Sequence, residues 1–198
     1  MYWFKTTYIQ LIILLLTLSC KAQGITIALE DKKNYEFKDG SPTKIAYAKD
    51  INNILGEYLG TWVGVNDSKS YEFRIERHTV TAWNVYDYQQ DVLIIRYIIK
   101  DSSGTILEDT TNLPADDILV IGGLFMRYDE NGNPESYQLD YNGRDHNCGQ
   151  HGDMVIKRNG AGLDLFYFPG GDFIVNCDNT QNLVEFFPPN GGFSLTKQ

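Results

Sequence analysis

The densest run of chemistry-bearing side chains is His146-Asn147-Cys148-Gly149-Gln150-His151, with Cys177 farther along. Imidazole nitrogen and thiolate sulfur are the preferred ligands of zinc, so His146, Cys148, His151 and Cys177 could hold one. Their spacing matches no standard finger or ribbon. The competing reading is a disulfide between Cys148 and Cys177, which uses the two cysteines that remain after Cys20 and suits an oxidising compartment. The disulfide is the expected pairing, with free thiols and a metal as the alternatives. Asp129-Glu130-Asn131-Gly132-Asn133 has the composition of a calcium loop but places Pro134 where that loop requires Gly. A type I′ hairpin at Asn131-Gly132 explains the run without an ion.

Other chemistries find little support. Ser68, Ser70, Ser102 and Ser103 sit in turn-like contexts, and no Ser lies in a Gly-x-Ser-x-Gly elbow. His78 follows an alternating segment at its exposed end, where solvation explains it. Gly122-Gly123 and Gly170-Gly171 lack the following Lys and the helix of a phosphate loop. The chain has 26 acidic residues, any two of which can meet in a cleft as an acid/base pair, and sequence does not choose among them. No cofactor is called for.

The elements that must position these groups belong to one domain of ordinary size, since 198 residues are too few for two well-packed ones. A 13 % aromatic share alongside 18 Gly suits strands and tight turns better than helices. A net charge of −9 argues against nucleic acid and anionic lipid, which need clustered Lys and Arg.

Residues 1–19 read as an export signal, with Lys5 as the positive region and Tyr8 to Leu18 as the apolar stretch. That stretch is about half the ~20 residues a membrane span needs. Leu18-Ser19-Cys20 has the form of a bacterial lipobox, in which the Cys thiol is acylated, although Thr17 stands where an aliphatic residue is usual. Cleavage after Ala22 to give a soluble secreted chain is the alternative. The expected localisation is therefore periplasmic or outer-membrane lipoprotein, with membrane contact only through an N-terminal lipid at Cys20.

Residues 20–58 form a lead-in. Ile25, Ile27 and Leu29 alternate with polar or small residues as in a short strand, and Tyr47 to Tyr58 offers one helical turn with Asp50 as its N-cap. Residues 59–198 read as eight to ten short strands. Tyr71, Phe73 and Ile75 alternate with Glu72, Arg74 and Glu76, a half-buried strand. Val92 to Ile99 is apolar on both faces apart from Arg96, so it should lie centrally. Further strands follow at 105–111, 118–128 with a bend at Gly122-Gly123, 136–141, 154–157, 163–168, 173–175, 183–187 and 193–195. Strands this short and this closely spaced predict an all-β antiparallel meander closing into a barrel, with a β-sandwich as the alternative. Bulky inward positions such as Tyr97 and Tyr167 imply a largely filled interior with at most a modest pocket at one mouth.

The segment Tyr47-Ala48-Lys49-Asp50-Ile51-Asn52-Asn53, followed by Gly60-Thr61-Trp62, resembles the opening of a family of small exported bacterial proteins known only as a domain of unknown function. A Gly-x-Trp on the first barrel strand also resembles lipocalin-like barrels. That resemblance implies that Trp62 closes one barrel end beneath a basic side chain of the last strand, here Lys197. Two functions follow as expectations. The first is a non-enzymatic binding or interaction module of the envelope, taking a small molecule or an envelope protein, with Trp62, Tyr97 and Tyr167 as candidate ligand-binding residues. The second is a secreted hydrolase of carbohydrate or peptide using a carboxylate pair.

Overall fold

The computed structural model describes residues 24–35, 45–82, 88–170, 186–189 and 191–198. The export signal, Cys20, Cys177, the expected strand 173–175 and residues 183–185 of the expected strand 183–187 lie outside these residues, and Phe186 and Phe187, the described remainder of the latter, are not in a strand.

The alternation in Tyr71, Phe73 and Ile75 produces what it should. All three face inward and are buried on β4 (Lys69–Ala82), which pairs along its length with β5 (Tyr88–Lys100). The other edge of β4 pairs with β3 (Gly60–Asn66). β5 is apolar on both faces because both faces are covered. Leu93, Ile95, Tyr97 and Ile99 point into the core, while Val92 and Ile94 pack outside against Val120, with Leu113 and Ala115 alongside.

β7 (Ile121–Tyr128), β8 (Pro134–Asn142), β9 (His151–Asn159), β10 (Gly162–Pro169) and β11 (Gly191–Lys197) follow as neighbouring antiparallel strands. β11 returns to β3, with Lys197 opposite Trp62, and β7 meets β5 at Ile94 and Ile95. The result is a closed eight-stranded antiparallel barrel, the meander expected from the turn spacing and consistent with a lipocalin-like barrel. Closure removes the unpaired edges that an aromatic-rich sheet would otherwise present.

One edge of β5 serves three partners in succession. β2 (Ile45–Lys49) runs parallel to its start, β7 takes its middle, and β6 (Ile106–Asp109) takes its end outside the barrel circuit. β1 (Ile25–Ala28) lies parallel to β2. The short helix ahead of the barrel is a 3-10 turn at Leu29–Asn34, not at Tyr47–Tyr58. The latter segment is half strand and half successive turns. Tyr47 and Ala48 extend the sheet across β5, and Asn53 in the left-handed region (φ 56°) sits at the centre of the turns.

Two other local expectations shift. Asn131-Gly132 is not a type I′ turn, because only Gly132 has positive φ (83°). Gly132 N–H donates to Asp129 O and Asp129 N–H donates to Asn133 O, a five-residue connection between Tyr128 and Pro134. The bend in β7 is a register shift after Gly123. A Cβ there would sit 2.4 Å from Leu93 O and 2.7 Å from the Tyr137 hydroxyl, so the close approach of β7 to β5 requires glycine.

Candidate functional site

The lead-in enters at one end of the barrel, and its polar groups are tied down there. Asp50 Oδ1 accepts from Ile54 N–H at 2.7 Å, and Oδ2 accepts from Leu55 N–H and pairs with Arg77 Nη2 at 2.8 Å. Arg77 also donates to Asn53 Oδ1, and Asn52 donates to Glu30. Asp91 accepts from the Tyr47 hydroxyl at 2.6 Å, the Thr79 hydroxyl at 2.8 Å and Asp50 N–H at 3.0 Å. Burial pushes the Asp91 carboxyl up, but the bonds from Tyr47, Asp50 and Thr79 and the Arg77 charge outweigh it, so it titrates below its ordinary value of 3.8. Tyr47, Asp50, Asn52 and Asn53 of the opening motif thus form a latch that fastens residues 45–58 to β4 and β5. The latch also holds two buried carboxylates side by side, and every one of their oxygens already accepts a structural hydrogen bond. That is the arrangement of a fastening, not of an acid/base pair awaiting substrate.

Trp62 closes this end. Its side chain is fully buried and its Nε1–H donates to Tyr58 O at 2.7 Å. The Arg158 guanidinium lies 4.8 Å and Lys197 Nζ 5.4 Å from the indole, so the expected lysine cap is present and an arginine from β9 joins it. Gly60, with φ +120°, lets the Lys197 stem pass; a Cβ there would meet Lys197 Cε at 2.9 Å. Burial pushes the Tyr58 hydroxyl up to about 12.

Tyr97 and Tyr167 stand in the other half of the barrel, toward the turn between β3 and β4. They do not touch each other. Tyr141 on β8 joins them, 6.5 Å from the Tyr97 ring and 5.6 Å from the Tyr167 ring, and Phe187 contacts all three. The Tyr167 hydroxyl is settled, donating to His151 O at 3.0 Å. The hydroxyls of Tyr97 and Tyr141 are not. Both side chains are fully buried, and their hydroxyls approach one another without closing a well-formed hydrogen bond there or with any other group among the described residues. Burial pushes both hydroxyls far above the usual range, and the Glu108 charge pushes each further. Glu108 is itself buried on β6 and accepts a bidentate fork from Arg144 at 2.7–3.0 Å, with the guanidinium reaching out to solvent. Native interiors leave few polar groups unpaired, so two orphaned hydroxyls in one aromatic pocket single out this half of the barrel.

Sequence reasoning named Tyr97 and Tyr167 but missed Tyr141, Phe187, Glu108 and Arg144. Tyr141 was within reach, since Tyr137, Leu139 and Tyr141 share the inward phase of β8. Glu108 and Arg144 are 36 residues apart and carry no local signal.

The remaining candidates have structural uses. His146 Nδ1 lies 3.2 Å from Gly143 O, and His151 Nδ1 lies 3.0 Å from His146 O. Among the described residues no group of three His, Cys, Asp or Glu side chains could hold a metal ion. Asp129 spends its carboxylate on Asn131 N–H, Asn133 N–H and Asn133 Nδ2, within its own turn. A groove of about 370 Å³ is lined mostly by residues at outward positions, Val63, Val65, Glu72, Ile98, Lys100 and Thr196, together with the inward Tyr71. It is therefore on the barrel wall and not in the interior.

A model of a family of unknown function, DUF6705, matches residues 4–121. Comparison with curated proteins and with solved structures found no match.

Proposed function

The chain belongs to DUF6705, a family of unknown function, and on that premise we propose that it is an exported envelope lipoprotein, anchored at Cys20, whose barrel is a non-enzymatic small-molecule-binding module. The observation that carries the binding reading is the pair of buried hydroxyls on Tyr97 and Tyr141, which face one another and close no well-formed hydrogen bond among the described residues. Binding pockets are mostly apolar with a few convergent polar groups, and the far half of this barrel has that composition. The match to the family model starts at residue 4 and so takes in the N-terminal apolar stretch, which supports treating that stretch as part of the protein's design. The carboxylate-pair hydrolase has no comparable support, because Asp50 and Asp91 are consumed by the latch.

A disulfide from Cys148 to Cys177 completes the proposal. Its support is that Cys148 and Cys177 are the two cysteines left after Cys20 and that export provides oxidising conditions.

Native mass spectrometry of protein purified gently from its own host tests the binding reading. A retained small molecule is expected on the wild type and not on the Tyr97→Phe/Tyr141→Phe double variant. A wild type without any adduct, or equal loading of both proteins, overturns it. Intact mass of the mature chain tests the anchor: a diacylglyceryl increment lost in Cys20→Ser supports it, and an unmodified chain beginning at Gln23 defeats it.

A further inference from the structure

Phe187, at the centre of the far half, does not come from a strand. It lies in the described stretch 186–189 just before β11, is followed by Pro188-Pro189, and is 2 % exposed. Five rings surround it. Tyr71 and Phe73 stack on it at 5.8 and 6.2 Å with interplanar angles of 24°. Tyr97 and Tyr141 meet it edge-on at 6.1 and 5.0 Å, and Tyr167 tilts against it at 5.7 Å. All five walls belong to β4, β5, β8 and β10, which the barrel ladder holds independently of Phe187. The cage is thus shaped for one flat ring, and its occupant and its walls come from different elements.

The occupant is a poor match for the walls in one respect. Phe187 is a hydrocarbon, yet two of the rings that enclose it carry hydroxyls that face only one another and close no well-formed hydrogen bond among the described residues. A phenolic hydroxyl both donates and accepts, so it could pair with either tyrosine. The cage is buried and the nearby Arg144 is already spent on Glu108, so the desolvation penalty selects for a neutral ligand over an anionic one.

We propose that Phe187 occupies a binding site for a small, neutral, planar aromatic molecule carrying a hydrogen-bonding substituent, a phenol-class ligand, which binds by taking the place of the Phe187 ring among Tyr71, Phe73, Tyr97, Tyr141 and Tyr167. This rests on the binding-module reading above and gives it a ligand class. The ring fills the space among these five walls, so the protein carries its own surrogate ligand. Displacement reduces the affinity of the wild type, because the free protein must first expel Phe187.

The test uses the full mature chain with phenol, toluene and benzoate as probes, read by isothermal titration and by the shift in melting temperature. Phe187→Ala is expected to bind phenol at least tenfold more tightly than wild type, since the displacement cost is gone. It should prefer phenol to toluene by about tenfold, the value of one net hydrogen bond, and should reject benzoate. Adding Tyr97→Phe and Tyr141→Phe should equalise phenol and toluene. If Phe187→Ala does not melt cooperatively, Phe187→Leu, which keeps most of the apolar volume, replaces it with the same expected order. Phenol affinity unchanged from wild type overturns the displacement, and equal binding of phenol and toluene overturns the assigned class. If host-purified protein retains an adduct that the tyrosine double variant loses while phenol fails to bind, the binding module survives and only this ligand class falls.

Discussion

The two halves of the barrel bury polar groups in opposite ways. At the lead-in end, Asp50 and Asp91 are buried carboxylates whose oxygens receive three backbone N–H groups, two hydroxyls and a guanidinium. In the far half, Tyr97 and Tyr141 are just as buried, and among the described residues their hydroxyls meet only each other, short of a well-formed hydrogen bond. Desolvation penalises a polar group in both places, and only the first place returns hydrogen bonds for it. A closed network of that kind fixes geometry, and here it fixes where the lead-in docks. An open one leaves hydrogen-bonding capacity for something that arrives later. The contrast separates architecture from receptivity within one small fold.

Four perturbations break or sharpen that contrast. The largest effect belongs to Trp62→Ala, which removes the indole that closes the satisfied end and strips Arg158 and Lys197 of their shared platform. Truncating a fully buried Trp costs about 3 to 5 kcal/mol, so urea unfolding should show a much lower midpoint and the melting temperature should fall sharply. A variant that melts like the parent would mean the indole does not close the barrel.

Asp50→Ala comes next. It leaves the Ile54 and Leu55 amides without their acceptor and Arg77 without its ion pair, for a loss of roughly 3 kcal/mol. Hydrogen exchange should quicken first in residues 45–58, because the latch holds that segment. Uniform exchange across the barrel would count against a local fastening.

Acid should expose the same asymmetry. The folded Asp91 carboxyl titrates below its ordinary 3.8, so its contribution is complete above that pH and is lost as pH falls through the folded value. The urea midpoint of wild type should therefore decline below about pH 4, with a shallower decline in Asp91→Asn. Tyr97→Phe should run parallel to wild type throughout that range, and a changed acid slope in it would blur the division between the halves.

The smallest effect is the most discriminating. Tyr97→Phe and Tyr141→Phe each delete an unpaired hydroxyl and should be neutral or stabilising by up to about 1 kcal/mol in ligand-free protein. Tyr47→Phe deletes a hydroxyl bonded to a carboxylate and should destabilise by about 1.5 kcal/mol. Equal destabilisation by all three, measured by chemical denaturation, would show that the far hydroxyls are as well satisfied as the near one.

Much of this was legible where one strand's own pattern decides the outcome. Tyr71, Phe73 and Ile75 announce their inward phase because a strand has period 2 and one face of this one is buried. The lipocalin-like resemblance carried by Gly60-Thr61-Trp62 implied an indole beneath Lys197, whose Nζ lies 5.4 Å from it. Tyr47 to Tyr58 misled for a specific reason. Its helix-like spacing was overridden by pairing with Gln89 and Gln90 and by Asp91, whose carboxylate accepts the Asp50 amide and the Tyr47 hydroxyl. Asn131-Gly132 misled because Asp129, two residues earlier, captured the amides of Asn131 and Asn133 and widened the turn.

The sequence alone determined the β-class, the antiparallel meander apart from the strand at 106–109, which lies off the barrel circuit, and the burial of Trp62, Tyr97 and Tyr167, because those follow from alternation, turn residues and aromatic bulk along single strands. Only the tertiary structure decided which buried polar groups find partners. Asp91 meets Tyr47 across 44 residues and Glu108 meets Arg144 across 36, and no local pattern encodes such encounters. The same closure brought Phe187 against Tyr71 and Tyr141 while leaving two hydroxyls unanswered, since strand register sets where each ring lands and a hydrocarbon ring has no hydrogen bond to offer.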